Sequence, residues 1–315
     1  MADIVTIGET MMLLNPQQTG SLRYVTNFTK TLGGAESNLC IAASRLGHTA
    51  GWISRLGDDE FGLFIRNFLR GEGVDTEQVV FDGQAPTAVF FKERREGAES
   101  RVYYYRKLSA ASRLTPADLD EDYIKAAKFL HITGITPALS DSCRETVFAA
   151  VTIAKKHGVQ ISFDPNIRLK LWSLEEARPV LTKLAELSDY FFPGEKELEQ
   201  LYPGQKLGDV VAELLAKGVK KVILKEGETG CTIFTKEEPL KVPGCPVTLV
   251  DPIGAGDGFA AGFLAGKLRN LSDYEAGRLG NAVGAMAVTA TGDIEGYPTD
   301  REVQAFLCNT TIIER

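Results

Sequence analysis

The chain holds only five cysteines, Cys40, Cys143, Cys231, Cys245 and Cys308, widely scattered and without a CxxC pair. That number and spacing provide neither a disulfide framework nor a zinc pattern, and point to reduced thiols. The three histidines, His48, His131 and His157, also stand far apart and read as structural residues rather than a metal cluster. Although 44% of residues are hydrophobic, no window reaches the about 18 uncharged apolar residues that a membrane span needs. The opening MADIVTIGET has no basic segment followed by an apolar run. The expectation is a cytoplasmic protein with no membrane partner, in which the sequons at Asn27, Asn270 and Asn309 are chance matches. Positive charge is not in excess: the formal net charge of -7 gives no electrostatic reason to expect nucleic acid. No Walker A loop is present, since GFLAGKL has the wrong glycine spacing and ends in Leu268, and no GxGxxG follows the first apolar run.

Apolar runs that end in small or polar residues recur: DIVTIGE, TAGWISRLG, KFLHITGI, VQISFDPN, DYFFPGE and KKVILKEG. Between most of them lie stretches of helical spacing, such as GAESNLCIAASRLG and CRETVFAAVTIAKKHG. Strand alternating with helix predicts an α/β fold, a parallel sheet covered on both faces that binds ligands at the carboxyl ends of its strands. Residues of about 11–32 and 85–110 break the alternation. The second segment carries two aromatic, β-favouring runs, TAVFF and RVYYYRK, joined by a polar link, and is expected to be a hairpin. Strands from both segments would form a small sheet outside the core, a lid. Its aromatic face, with Phe91, Tyr103 and Tyr105, calls for cover by a second subunit, at least a homodimer. With no dividing linker, residues 1–315 read as one domain with the lid inserted.

The stretch DPIGAGDGFAAGFLAG, 251–266, is a glycine-rich turn running into a helix of small and apolar residues. The first amides of a helix have no internal partners and carry the positive end of its dipole, which suits an anion. Asp257 nevertheless sits inside that site, and two readings are open. It is an N-cap for a helix beginning near it, or it is a general base in phosphoryl transfer. In the second reading the amides of Ala255, Gly256 and Asp257, after Gly254, steady charge on the moving group while Asp257 accepts the proton of the attacking hydroxyl. The helical glycines imply close approach of a backbone or ligand.

GGAESN (33–38), DPN (164–166) and DPIGAGDGFAAGF (251–263) together resemble signature regions of the ribokinase-like, or PfkB, carbohydrate kinases, in order and over essentially the whole chain. The resemblance implies a three-layer α/β/α sandwich with a β-sheet lid, ATP as donor, Mg²⁺ as counter-ion and Asp257 as base. It leaves open whether a monovalent cation is required. RVYYYRKLSAASRLTP, HITGITPALS, DPNIRLKLW and GDIEGYP resemble the branch that phosphorylates 2-keto-3-deoxygluconate. Fructokinase is the alternative within the family, and a non-catalytic sugar-acid sensor the alternative outside it.

Alternation along a strand puts Tyr104 and Arg106 on one face, and Arg168 follows a strand end. The two arginines would converge on a substrate carboxylate; the other reading pairs each with an acid such as Glu93 or Glu99. The resemblance assigns Gly34 to close approach of sugar, Ile135 to the pocket wall and Asp293 to substrate orientation. It puts Phe90 where the branch would carry a tyrosine. Lys225, Gly227 and Gly230, with Gly254, Ala255 and Gly256, fall on the nucleotide side, with a surface role for Lys225 the alternative. Glu197, in GEKE (194–197), represents the metal-linked acid of an Asn-x-x-Glu pattern; with Gly194 in place of asparagine it is expected to reach Mg²⁺ through water alone. GETMMLLNP lacks the aspartate that many relatives use to hold sugar hydroxyls.

Overall fold

The structure, a computed structural model, describes residues 1–93 and 101–308. Its strands are β1 (Ile4–Ile7), β2 (Met11–Pro16), β3 (Phe28–Gly33), β4 (Ala50–Gly57), β5 (Val79–Asp82), β6 (Val89–Glu93) and β7 (Arg101–Tyr105). They continue with β8 (Phe129–Thr133), β9 (Gln160–Asp164), β10 (Tyr190–Phe191), β11 (Lys221–Lys225), β12 (Gly230–Phe234) and β13 (Leu240–Pro243). The helices are α1 (Ala35–Arg45), α2 (Glu60–Gly71), α3 (Glu121–Lys125), α4 (Asp141–His157) and α5 (Leu174–Leu187). They are followed by α6 (Glu195–Leu201), α7 (Leu207–Ala216), α8 (Ala255–Leu268), α9 (Asp273–Ala287) and α10 (Asp300–Leu307).

The large sheet has the order β13-β12-β11-β10-β9-β8-β1-β4-β5. β1, with sequence IVTI, is buried along its whole length, as a strand covered on both faces must be. Successive residues feed opposite cores. Val5, Val222 and Leu224 join the core built with α4 to α7, whereas Ile4 and Ile223 join the one built with α1, α2 and α8. β1 pairs in parallel with β4 on one side and β8 on the other, so the strand order reverses there and a crevice opens at the carboxyl ends. The alternation predicts a parallel sheet, and the structure departs from that at one edge, where β12 and β13 pair antiparallel. Only the short turn Gly227–Thr229 joins β11 to β12, too little chain for a crossover helix.

The segments that break the alternation form a separate four-stranded sheet, β3-β2-β6-β7. β6 and β7 are antiparallel, with Phe90 opposite Tyr104 and Phe91 opposite Tyr103; their link, including Glu99, lies outside the described residues, as does Asn309. Phe91 packs edge-on against Phe28 and Tyr105, with both centroid separations 5.7 Å. Tyr105 remains 68% exposed and Tyr103 40%.

α8 starts at Ala255, two residues before Asp257, with Gly254 as its N-cap at φ 82°. That left-handed backbone suits glycine. Asp257 is therefore not the N-cap. The small residues of α8 serve helix packing: a Cβ on Gly262 would lie 2.9 Å from the Gly280 Cα, and one on Gly266 2.8 Å from the Ala276 Cα, both in α9.

Candidate active site

A cavity of about 360 Å³ lies between the carboxyl ends of the large sheet and the lid. The core contributes Glu9, Ile135, Asp164, Arg168 and Lys225; the lid contributes Phe90, Lys92, Tyr104 and Arg106; the glycine turn contributes Gly254, Gly256 and Asp257. Asp293, Glu197 and Gly34 also line it. Of the residues expected from the sequence, Ala255, Gly227 and Gly230 are not on its wall. Gly227 and Gly230 shape the β11–β12 turn with φ of 61° and 110°.

The Asp257 carboxyl opens on the cavity but is otherwise packed in protein. Asn38 in α1 donates from Nδ2 to Asp257 Oδ2 at 2.8 Å. Burial pushes the Asp257 carboxyl up to about 7, reinforced by Asp164 and Glu36 and opposed by the Asn38 bond and Arg168. A base in this range takes a proton near neutral pH and can release it again. As the third residue of α8, Asp257 stands beside amides that lack intrahelical acceptors. Gly256 lines the cavity, and a Cβ there would be in ordinary contact with Lys225 Nζ at 3.6 Å and Asp164 Oδ2 at 3.9 Å. The start of α8 thus faces the Lys225 ammonium and its Asp164 partner across the cavity, and an anion bound there would draw on the helix amides and the ammonium.

Lys225, at the end of β11, is not a surface lysine: its Nζ binds Asp164 Oδ2 at 2.5 Å, and its side chain is 19% exposed. Burial pulls its pKa down, but Asp164 and Glu197 outweigh that and leave it raised, so it stays charged. Glu197 accepts from the Ile167 amide at 3.1 Å and the Gly194 amide at 2.8 Å, one with each oxygen. Burial pushes its carboxyl up despite Lys225. Among the described residues no group of three or more metal-ligating side chains comes together. Two carboxylates, Asp164 and Glu197, one of them already held by a lysine, do not make a protein cage. They fit an ion such as Mg²⁺, which keeps several waters and takes its other oxygens from a nucleotide's phosphates.

At the lid end, Arg106 pairs with Glu9, an acid outside the lid. Its Nε and a terminal nitrogen reach Glu9 Oε2 at 2.7 and 2.6 Å, and Ser109 Oγ donates to the other Glu9 oxygen. The Arg106 guanidinium lies 5.6 Å from the Tyr104 ring centroid, on the shared face expected from alternation. Phe90 stacks on Tyr104 from across the hairpin, 5.6 Å between centroids. Asp293 is held by Lys92, Nζ to Oδ1 at 2.7 Å; burial raises its carboxyl and Lys92 opposes that. The Arg168 side chain lines the cavity without a hydrogen-bond or ion-pair partner among the described residues, and its charge acts on Asp257. Gly34 is required by protein rather than by an open approach: a Cβ there would lie 2.5 Å from the Glu9 carbonyl oxygen.

Three residues central to this geometry, Glu9, Asn38 and Lys92, have no role in the sequence reading. Alternation carried one signal, because Lys92 shares the inward face of β6 with Phe90, an unusual place for a lysine.

The family model for pfkB family carbohydrate kinases matches residues 1–300. The 2-dehydro-3-deoxygluconokinase of Bacillus subtilis (strain 168) is 41% identical over 310 residues, covering 97% of this chain and 95% of that protein. The Arabidopsis thaliana "Probable fructokinase-5" is 37% identical over 315 residues, covering 96% and 97%. An Escherichia coli "putative Ribokinase II", solved with ATP and Mg²⁺, superposes with a TM-score of 0.90 at 30% identity, covering 98% of this chain and all of that one. The two sheets, the glycine turn and Asp257 thus sit in a ribokinase-like sandwich, and the chain belongs to the pfkB family of carbohydrate kinases.

Proposed function

We propose that this kinase transfers the γ-phosphoryl group of ATP to the primary alcohol of 2-keto-3-deoxygluconate, giving the 6-phospho product. The observation that carries the choice of a sugar acid is Arg168. Of the four cations on the cavity wall, Lys92, Arg106 and Lys225 already hold Asp293, Glu9 and Asp164, whereas Arg168 holds nothing among the described residues. A planar cation left free in a sugar pocket is complementary to a carboxylate. Similarity to a 2-dehydro-3-deoxygluconokinase along nearly the whole chain supports the same reading. Arg106, neutralised by Glu9, serves this pocket as its edge, with Tyr104, Phe90 and Ile135 as the apolar wall.

In this reading Asp257 removes the proton from the acceptor hydroxyl as its oxygen bonds to the γ-phosphorus. The bond from that phosphorus to the bridging oxygen breaks, and ADP departs. The amides of Ala255, Gly256 and Asp257 and the Lys225 ammonium steady the charge on the transferred group. Glu197 and Asp164 would reach a nucleotide-bound Mg²⁺ through water, and that ion would supply charge neutralisation. Gly227 and Gly230 shape the turn on the nucleotide side, and Asp293 orients the acceptor. A second subunit over the Tyr103–Tyr105 face of the lid completes the assembly.

Fructokinase is the second reading, favoured by the Glu9–Arg106 pair, which removes one positive charge from the pocket. A panel of sugars and sugar acids, assayed for phosphorylation with ATP and Mg²⁺, separates the two. Phosphorylation of 2-keto-3-deoxygluconate well above fructose supports the first.

A further inference from the structure

Lys92 is a lid residue that ends in the core. It is carried by β6, yet its Nζ lies 2.7 Å from Asp293 Oδ1 and 3.7 Å from Asp251 Oδ2, with the side chain only 4% exposed. Burying an ammonium is expensive unless it is well paired, and an apolar residue would fill the same strand position at lower cost. The two acids it meets both act on the glycine turn. Asp251 Oδ1 accepts from the Ile253 amide at 3.2 Å and Oδ2 from the Gly292 amide at 3.3 Å, tying the entry of the turn to the loop after α9. The carbonyl oxygen of Asp293 lies against Gly254, where a Cβ would come within 2.3 Å of it. Tyr297, from the same loop, donates to the Gly254 carbonyl at 2.8 Å. Gly254 is the N-cap from which the first amides of α8 project.

A second lid residue touches the same loop: Thr31 in β3 donates to Glu295 Oε1 at 3.2 Å. On β6 itself, Phe90 points the same way as Lys92 and closes the acceptor end of the cavity. One lid strand therefore bears on the acceptor through Phe90 and on the anion-binding turn through Lys92.

We propose that Lys92 is a positioning residue for phosphoryl transfer: by bridging Asp251 and Asp293 it makes the geometry of the Gly254 turn depend on where the lid sits. The inference rests on Asp257 and its neighbouring amides being the transfer site, and not on which acceptor is used. Each assay therefore uses whichever compound the wild-type protein phosphorylates best.

Lys92→Met should lower kcat about 10²-fold, the scale of a misplacement of about 1 Å in a catalytic array. The KM for ATP should stay within about threefold, and the acceptor KM, exposed to the change through Asp293, should rise by less than kcat falls. Asp251→Asn, which retains an acceptor for the Ile253 amide, should give a loss of the same kind and smaller size. It also serves as the independent test if Lys92→Met does not fold. Adding Asp251→Asn to Lys92→Met should restore part of the lost kcat, because one of the two stranded carboxylates is removed. Wild-type kcat in folded Lys92→Met, or in Asp251→Asn where the first does not fold, would overturn the proposal. So would a loss confined to acceptor KM, which would make Lys92 a binding residue. Failure of the sugar-acid assignment would appear separately, in the identity of the best acceptor.

Discussion

Asn38 and Asp257 lie 219 residues apart in the chain and are joined by one hydrogen bond, Nδ2 to Oδ2 at 2.8 Å. The bond favours the charged carboxylate and opposes the burial that pushes its pKa up to about 7. It also fixes one oxygen, leaving the other for the acceptor hydroxyl. Asn38→Ala should therefore move the acid limb of the kcat/KM profile to higher pH, since the ionised base loses a stabilising partner. An unchanged limb, measured between about pH 5 and 9, would show that the bond does not tune the base.

Asp257→Asn should keep the fold and nucleotide binding while lowering kcat by roughly 10²–10⁴, the usual contribution of a general base. The same substitution has a stability signature. In the folded protein the carboxyl holds its proton up to about 7 instead of the usual 3.8, so its stabilising contribution is complete below 3.8 and lost as pH rises through about 7. Asparagine is neutral at every pH. The variant should gain Tm over wild type at about pH 8 and much less at about pH 4, which thermal melts at both values would check.

The local features of this site were legible in the sequence, and its long-range pairings were not. The glycine turn and Asp257 sit in one contiguous stretch whose chemistry is set by a helix start, and the alternating runs fixed the layer order of the core. Arg106 was visible as a pocket residue, but its partner Glu9 is 97 residues away, and Lys92 is 201 residues from Asp293. The sequence offers Arg106 a surface acid or a substrate carboxylate but not Glu9, because strand alternation specifies a face, not the residue waiting on it. The antiparallel edge of the sheet was missed for a related reason: an apolar run carries no sign of its direction.

The two arginines should now behave differently. Arg106→Gln leaves Glu9, whose side chain is wholly buried, without its cation, and should destabilise the protein by about 3–5 kcal/mol in urea melts. Arg168→Gln should leave stability nearly unchanged, yet lower kcat/KM on the sugar acid by roughly 30-fold or more, because a substrate carboxylate loses its partner. Equal stability losses in both variants would contradict the assignment of Arg106 to a structural pair.

The exposed tyrosines of β7 lead to an assembly prediction. Tyr105, 68% exposed, and Tyr103, 40% exposed, stand on β7, the edge strand of the four-stranded sheet. Large apolar patches are seldom left open on monomers. Sedimentation at micromolar concentration should give at least a dimer, and Tyr105→Glu should shift it toward monomer. A fully active wild-type monomer would contradict the second subunit.

Whether this pocket takes a sugar acid is decided by kcat/KM on 2-keto-3-deoxygluconate and on fructose, with ATP and Mg²⁺, in wild type and in Arg168→Gln. Wild type should prefer the acid by at least about 30-fold, the lower end of what a desolvated charge pair contributes. In Arg168→Gln the acid should lose most of that advantage while any fructose activity changes little. A wild-type preference for fructose, or an equal fall on both compounds in the variant, would contradict the sugar-acid assignment and make fructokinase the better account.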